Sequence, residues 1–265
     1  MDKVIIVSGG TFGLGRHITL TLAERGCRVL AFGLSKPQVS SVASGFDLLN
    51  QDVQQAGLSD RVEVVEADVS RPEDIDRLLS HALRRFGRVD GLVNNAAVGP
   101  LGTVLTTDAA TLDRVLSVNV KGPFLMSRAM IPELVRNGGG SIVNIGSGAG
   151  YGKPNMAAYA ASKGALLALS AAMAYDHFHD HIRVNTVIPG GGGIVSGMSL
   201  GRVGGDEKVL KARRAVGTVA GRSADGRDLA HAVSFLLSDE AATISGTVID
   251  VGCFAHQGGP VPSID

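Results

Sequence analysis

The chain has little that would cross-link it and no surplus of charge of one sign. Two cysteines, Cys27 and Cys253, occur in 265 residues. That is too few for a disulfide framework and fits a reducing, cytoplasmic setting. Lysine plus arginine numbers 25 and aspartate plus glutamate 25, a formal net charge of zero. A balanced chain gives no reason to expect a nucleic-acid partner or an acidic tail. No apolar run is long enough to span a bilayer, and Val4-Ile5-Ile6-Val7 passes straight into glycines with no charged segment before it. Neither a signal peptide nor a membrane anchor is therefore expected. Internal repeats, low-complexity tracts and linkers are also lacking, so residues 1–265 are expected to form a single domain. What is present is a hydrophobic share of 45% against 19% charged, which excludes a disordered or fibrous class and supplies a large core.

Short apolar runs alternate with helical patterns along the whole chain. Strands are expected at 4–8, 28–32, 62–67, 91–94, 141–145, 184–188 and 247–251, with helices centred near Thr19, Phe46, Leu78, Val115, Leu166 and Ala232. Such alternation implies an α/β fold: a doubly wound parallel β-sheet of about seven strands with helices on both faces. The first strand leads into Ser8-Gly9-Gly10-Thr11-Phe12-Gly13-Leu14-Gly15, and a helix with Leu14, Ile18 and Leu22 on one stripe follows. Glycines let the backbone turn sharply and approach a pyrophosphate, while the helix N-terminus offers N–H groups and a positive dipole end. The spacing is Gly-x-x-x-Gly-x-Gly, which alone is also compatible with a plain tight connection.

A second constellation carries the chemistry. Lys163 follows Tyr159 by four positions, so a helix places both on one face, one turn apart. A free tyrosine, with a pKa of ~10, transfers protons poorly at neutral pH, and a nearby ammonium is expected to lower that value. Ser147 stands after a buried strand, where its hydroxyl can meet an oxygen that gains or loses charge. Alone, the Tyr-x-x-x-Lys spacing is equally that of an exposed helix pair.

Together these segments resemble the short-chain dehydrogenase/reductase family over nearly the whole length. The glycine segment is similar to the family's Thr-Gly-x-x-x-Gly-Ile-Gly motif, with Ser8 for threonine and Leu14 for isoleucine. Asp68-Val69 resembles the pair that holds adenine, and Asn94-Asn95-Ala96-Ala97 resembles Asn-Asn-Ala-Gly, with Ala97 in place of glycine. Asn119, Ser147, Tyr159 and Lys163 match the catalytic tetrad, and Pro189-Gly190 the segment behind the nicotinamide. The resemblance implies an NAD(P)-dependent oxidoreductase interconverting a secondary alcohol and a ketone. Tyr159 would be the acid/base, Ser147 would orient the substrate oxygen, Lys163 would also hold the nicotinamide ribose, and Asn119 would fix a water of a proton relay. The implied cofactor contacts are Gly9, Thr11, Phe12, Gly13, Leu14, Gly15, Ser35, Lys36, Asp68, Val69, Asn95, Ala96, Tyr159, Lys163, Pro189, Gly190, Ile194 and Ser196. A non-catalytic redox sensor on the same fold would be expected to lack Tyr159 or Lys163. An enoyl reductase would carry them further apart.

Some departures bear on cofactor and substrate. No acid follows the second strand, where Gly33-Leu34-Ser35-Lys36 stands, and this favours NADP over NAD. The basic residue many NADP-preferring relatives carry in the glycine turn is here Phe12. Gly191-Gly192-Gly193 precedes Ile194-Val195-Ser196 and leaves open which of Ile194 and Ser196 meets the nicotinamide. Residues 190–221 break the alternation and read as a substrate lid or a surface insertion. The lid's Arg202, Lys208, Lys211, Arg213 and Arg214 suit an anionic substrate or a solvated helix face. His177, His179 and His181 alternate, but no carboxylate or cysteine pattern completes a metal site, and none is expected. Cys253 reads as a small hydrophobe rather than a reactive thiol. The alanine-rich segment from Ala157 to Ala174, paired with a helix around Val115 to Leu134, suits a four-helix contact. With the last strand at a sheet edge, a homotetramer is expected.

Overall fold

The computed structural model describes residues 2–35, 44–190, 197–206, 208–209, 218–222 and 224–253. Seven strands form one parallel sheet: β1 (Val4–Ser8), β2 (Arg28–Gly33), β3 (Val62–Glu66), β4 (Gly91–Asn94), β5 (Gly140–Ile145), β6 (Ile182–Ile188) and β7 (Val248–Asp250). Their order is β3-β2-β1-β4-β5-β6-β7, with β7 at one edge. The chain winds outward from β1 to β3, then returns to the other side of β1 with β4. The crevice between β1 and β4 is thus the topological switch point where such sheets bind ligands.

β1 illustrates why the inner strands are continuous apolar runs. Val4 and Ile6 face one core with Leu30, Leu92, Ile142 and Val184. Ile5 and Val7 face the other with Val29, Val93, Val143 and Val187. Burial on both faces removes the alternation of a half-exposed strand. The first core is closed by α3 (Pro72–Phe86), α5 (Gly122–Arg136) and α6 (Ala157–Asp176), through Ile75, Leu78, Met126, Met130 and Met173. The second is closed by α1 (Gly13–Glu24) and α8 (Gly226–Leu237), through Ile18, Leu22, Leu229 and Val233. Here α1 and α8 approach closely, because a Cβ on Gly226 would strike the His17 ring. The remaining helices are α2 (Gly45–Gln55), α4 (Ala109–Leu116) and the short α7 (Gly197–Gly201).

Local chemistry sets the helix ends. In α3, Pro72 begins the helix, Glu73 and Asp74 sit in its first turn, Arg84 and Arg85 in its last, and Gly87 closes it at φ 79°. In α8, Asp225 accepts from the Arg227 and Asp228 amides while Asp228 accepts from the Asp225 amide, a capping box.

Two expectations change. The helix centred near Phe46 begins there instead, at Gly45, and runs to Gln55. The helix expected around Val115 to Leu134 is interrupted by a π-helical turn at Ser117–Lys121. Pro123 follows that turn and has no N–H to donate back into it, so the regular ladder breaks there. A third difference concerns α6, which by length and composition alone is apolar enough to cross a membrane. In the fold it packs on β6 and beside α4, and it carries Tyr159 and Lys163 on its buried side.

Candidate active site

The carboxyl ends of β1 and β4 are stitched together by two side chains. Ser8 Oγ donates to the Val93 carbonyl at 3.3 Å and accepts from the Asn95 and Ala96 amides at 2.9 and 3.1 Å. Asn95 Nδ2 donates to the carbonyls of Ser8 and Gly9, each at 3.0 Å. These bonds hold the glycine turn against β4. Gly9 adopts φ 61° and Gly13 φ 53°, in the region that favours glycine. A Cβ on Gly9 would lie 2.9 Å from Asn95 Nδ2, and one on Gly15 would collide with the Gly9 carbonyl. Phe12 precedes α1 and no side chain caps the helix. Its first amides therefore have no side-chain cap and the glycines of the turn before them carry no Cβ, which fits the pyrophosphate of a dinucleotide. Thr11 is buried beside Gly33, and Leu14 packs into the second core.

The neighbouring strand ends carry the rest of the expected cofactor set. At the end of β2, Ser35 Oγ donates to Glu66 Oε1 at 2.6 Å and its amide to the same oxygen at 3.3 Å. Beyond β3, Asp68 Oδ1 accepts from the amide and hydroxyl of Ser70 at 2.9 and 2.7 Å, and the Asp68 amide donates to Asp74. Val69 is buried against Gly122, where a Cβ would meet its methyl groups at 2.9 and 3.0 Å. Ala96 packs against the first core. After β6, Gly190 lies so close to Ala224 and Gly252 that a Cβ would be 3.0 Å from each, with Pro189 preceding it half-buried. Lys36, Ile194 and Ser196 fall outside the described residues, as do Lys211, Arg213 and Arg214 of the expected lid.

Ser147, Tyr159 and Lys163 come together at the end of β5. Ser147 caps a 3₁₀ turn at Gly148–Tyr151 and accepts from the Ala149 amide at 3.1 Å, leaving its hydroxyl proton free on the side of Tyr159, whose phenol it acts to hold down. That turn lies directly on α6. A Cβ on Gly150 would meet the Lys163 carbonyl carbon at 3.0 Å, and one on Gly164 the Gly150 oxygen at 3.1 Å. Lys163 is fully enclosed; its Nζ donates to the Ile145 carbonyl at 2.7 Å and stands 5.8 Å from the centre of the Tyr159 ring. Burial pushes the ammonium down to about 8.

The expected lowering of the tyrosine by Lys163 is corrected here. Burial raises the Tyr159 phenol above its ordinary value, and the influences opposing it are the Ser147 hydrogen bond and the charge of Arg202. The lysine, turned to the Ile145 carbonyl, does not offset the desolvation of the phenol. Asn119 is buried in the π-helical turn, and its side chain is spent on structure. Its Oδ1 accepts from the Val98 amide at 2.9 Å, and its Nδ2 donates to the Val98 carbonyl at 2.8 Å and to Ser162 at 3.0 Å. The side chain thus clamps the loop after β4 to α6.

Three features went unseen in the sequence. Asn94 donates to Asn144 at 2.8 Å, Asn144 to Ser170 at 2.8 Å and Ser170 to the Leu166 carbonyl at 2.6 Å, a buried polar chain joining β4, β5 and α6 behind the site. Only the strand order reveals it. In α7, Met198 contacts the position of Gly99 next to the Tyr159 ring. One helical turn on, the Arg202 guanidinium lies 5.9 Å from that ring, donates to the Gly99 carbonyl at 3.0 Å and keeps a buried Nε without a partner. The third is the pairing of Glu66 with Ser35. Elsewhere, His177 meets Asp180 at 2.8 Å, Cys253 is half-buried and Cys27 buried.

Comparison with known proteins agrees with this geometry. A family model described as "Enoyl-(Acyl carrier protein) reductase" matches residues 9–253. The chain is 36% identical over 262 residues to the 2-(S)-hydroxypropyl-CoM dehydrogenase 3 of Xanthobacter autotrophicus, covering 97% of this chain and 96% of the relative. It is 32% identical to human dehydrogenase/reductase SDR family member 4, covering 95% and 86%. Among solved structures, levodione reductase superposes with a TM-score of 0.85 at 28% identity, covering 98% and 99%. The 3-ketoacyl-(acyl-carrier-protein) reductase of Brucella melitensis, complexed with NADH, superposes with 0.79 at 29%, covering 96% and 98%. With its parallel sheet, its glycine cradle and relatives matched nearly end to end, the chain belongs to the short-chain dehydrogenase/reductase family and is an oxidoreductase that works with a nicotinamide dinucleotide.

Proposed function

We propose that the enzyme interconverts a secondary alcohol and a ketone by hydride transfer, with Tyr159 as its acid/base. The observation that carries this reading is the meeting of Ser147, Tyr159 and a buried Lys163 at the end of β5, where the serine hydroxyl opposes the rise that burial imposes on the phenol. The relatives support it, since they include a 2-(S)-hydroxypropyl-CoM dehydrogenase and a 3-ketoacyl-(acyl-carrier-protein) reductase. A binding-only role would give the chain no use for a buried Tyr–Lys pair whose lysine burial holds down to about 8.

When bound, the dinucleotide supplies the hydride acceptor or donor. Gly9, Thr11, Phe12, Gly13, Leu14 and Gly15 would hold its pyrophosphate side, Asp68 and Val69 its adenine, and Asn95, Ala96, Pro189 and Gly190 its nicotinamide side. Burial keeps Tyr159 in its phenol form at neutral pH, so the resting side chain is loaded to donate a proton during reduction. In oxidation the phenolate takes the alcohol's proton, and Ser147 donates to the substrate oxygen in either direction. Lys163 uses one N–H on Ile145 and keeps others for the ribose hydroxyls and for recharging the tyrosine. Asn119 acts by position, fixing the loop that faces the substrate. Met198 and Arg202 form the roof of the site as part of a lid over Tyr159.

The exposed stripe of α6 supports a homotetramer. Ala161, Ala168, Ala172 and Tyr175 face outward there, as do Phe124 and Val135 on α5, an apolar surface that a partner copy would cover. The reading is tested by a panel of ketones and secondary alcohols assayed with each nicotinamide. Turnover of at least one pair is expected; cofactor binding with no turnover across a broad panel would overturn it.

A further inference from the structure

The buried face of α6 is short of large apolar side chains. Apart from Tyr159 it offers Leu166 and Met173, with Ala158 and Ala174 filling in. Alanines raise only shallow ridges, so packing alone fixes the axial register of such a helix weakly. A shift of one residue would carry Tyr159 about 1.5 Å along the axis.

The rest of that face is polar, and Ser162, Lys163 and Ser170 are each bonded to another part of the fold. Ser162 accepts from Asn119 Nδ2 at 3.0 Å, Lys163 Nζ donates to the Ile145 carbonyl at 2.7 Å, and Ser170 accepts from Asn144 Nδ2 at 2.8 Å. The two serines are used alike. Each turns its hydroxyl proton to a carbonyl of its own helix, that of Tyr159 or Leu166, and offers its oxygen to a buried asparagine. Asn144 and Ile145 are adjacent in β5, while Lys163 and Ser170 stand about two turns apart on one face of α6. The strand therefore grips the helix at two points, about 10 Å apart along its axis. One anchor leaves a helix free to pivot; a second fixes its direction. Asn144 is itself aimed, because its Oδ1 accepts from Asn94 Nδ2 at 2.8 Å across the β4–β5 register and leaves Nδ2 for the helix.

We propose that Asn144 and Ser170 are positioning residues for the reaction: their bond sets the register of α6 that keeps Lys163 on the Ile145 carbonyl and Tyr159 beside Ser147. The inference rests on the reading of Tyr159 as the acid/base and names what holds that group in place. Both residues are buried in the core, and Ser170 lies about three turns along the helix from Tyr159, so they act through α6. Misplacing a reacting group by about 1 Å can cost about a hundredfold in rate. Losing the bond should therefore slow the chemical step and leave substrate binding largely intact.

The test compares Ser170→Ala and Ser170→Cys with the native full chain, on a substrate pair that the native enzyme turns over. The chemical step is read in single turnovers, with active sites counted by dinucleotide titration. Alanine removes the acceptor; cysteine nearly keeps the volume and offers only a weak one, so it is expected to fold and decides the matter if the alanine variant does not. The rate should fall at least about tenfold in Ser170→Ala and at least about threefold in Ser170→Cys, while the half-saturating substrate concentration stays within about threefold of native. Ser141→Ala is the control. It also removes a buried hydrogen bond from β5, the 2.9 Å donation to the Leu236 carbonyl, but on the face turned to α8. Its rate should stay within about twofold of native. A role in stability alone would lower the unfolding midpoints of the variants and leave the rate per active site unchanged. That result, or an equal loss of rate in Ser141→Ala, overturns the proposal while the reading of Tyr159 stands. A native enzyme that binds dinucleotide and turns over no pair overturns both.

Discussion

Replacing Lys163 by methionine should cost the enzyme its activity and yet relieve a strain on its folding. The side chain is enclosed at the end of β5, and burial lowers its pKa from the ordinary 10.5 to about 8. That gap, at about 1.4 kcal/mol per pH unit, corresponds to roughly 3 kcal/mol. The sign follows from proton counts. Below about pH 8 the lysine is protonated in both states, and the native state bears the full cost of the buried charge. Between about 8 and 10.5 the unfolded chain still holds the proton and the native one has lost it, so stability rises with pH. Above that window the cost is gone. Methionine has no such dependence, although it leaves the Ile145 carbonyl without its 2.7 Å donor, a pH-independent loss of about 1–3 kcal/mol.

Comparing the two proteins at two pH values cancels that constant loss. Urea unfolding of native protein and Lys163→Met at about pH 7 and about pH 10.5 gives two differences in unfolding free energy. The advantage of the variant should fall by about 3 kcal/mol between the lower and the higher pH. A difference that stays constant would mean that Lys163 keeps an ordinary pKa, and the burial argument would be wrong.

Other consequences follow from the same geometry. Because burial raises Tyr159 and Arg202 opposes that rise, Arg202→Met should move the rising alkaline limb of alcohol oxidation to higher pH, read from kcat/KM; an unmoved limb would remove Arg202 from the electrostatics of the site. Gly15→Ala would drive a Cβ into the Gly9 carbonyl, so it should weaken dinucleotide binding at least tenfold and cost about 1–3 kcal/mol of stability. Binding as tight as native would show that the cradle does not hold the pyrophosphate. Light scattering behind size exclusion should return about four chain masses, and a clean monomer at micromolar concentration would contradict the α5 and α6 assembly.

How much of this was legible beforehand depends on the distance over which each feature is written. The doubly buried strands, the glycine turn and the Tyr159–Lys163 pair are local patterns, and each appears where its spacing places it. Features made by bringing distant segments together were not legible. Glu66 and Ser35 lie 31 positions apart and meet because β2 and β3 are neighbours in register. Arg202 and Tyr159 are distant in the sequence and meet only in the folded chain. The π-helical turn at Asn119 was hidden for a different reason: its sequence suits a continuous helix until the Val98 clamp and Pro123 are considered together. The direction of the Tyr159 shift was misjudged because spacing reports that a lysine is near, and not how deeply the phenol is buried or where the ammonium points.

The central claim is that Tyr159 carries the proton in an alcohol–ketone exchange at a site that binds the dinucleotide independently of it. Tyr159→Phe removes one oxygen and little packing volume. Its dinucleotide affinity, read by calorimetry, should stay within about threefold of native, while turnover of any substrate pair accepted by the native enzyme should fall by at least about a thousandfold. A variant that still turns over at a rate near native would contradict the account.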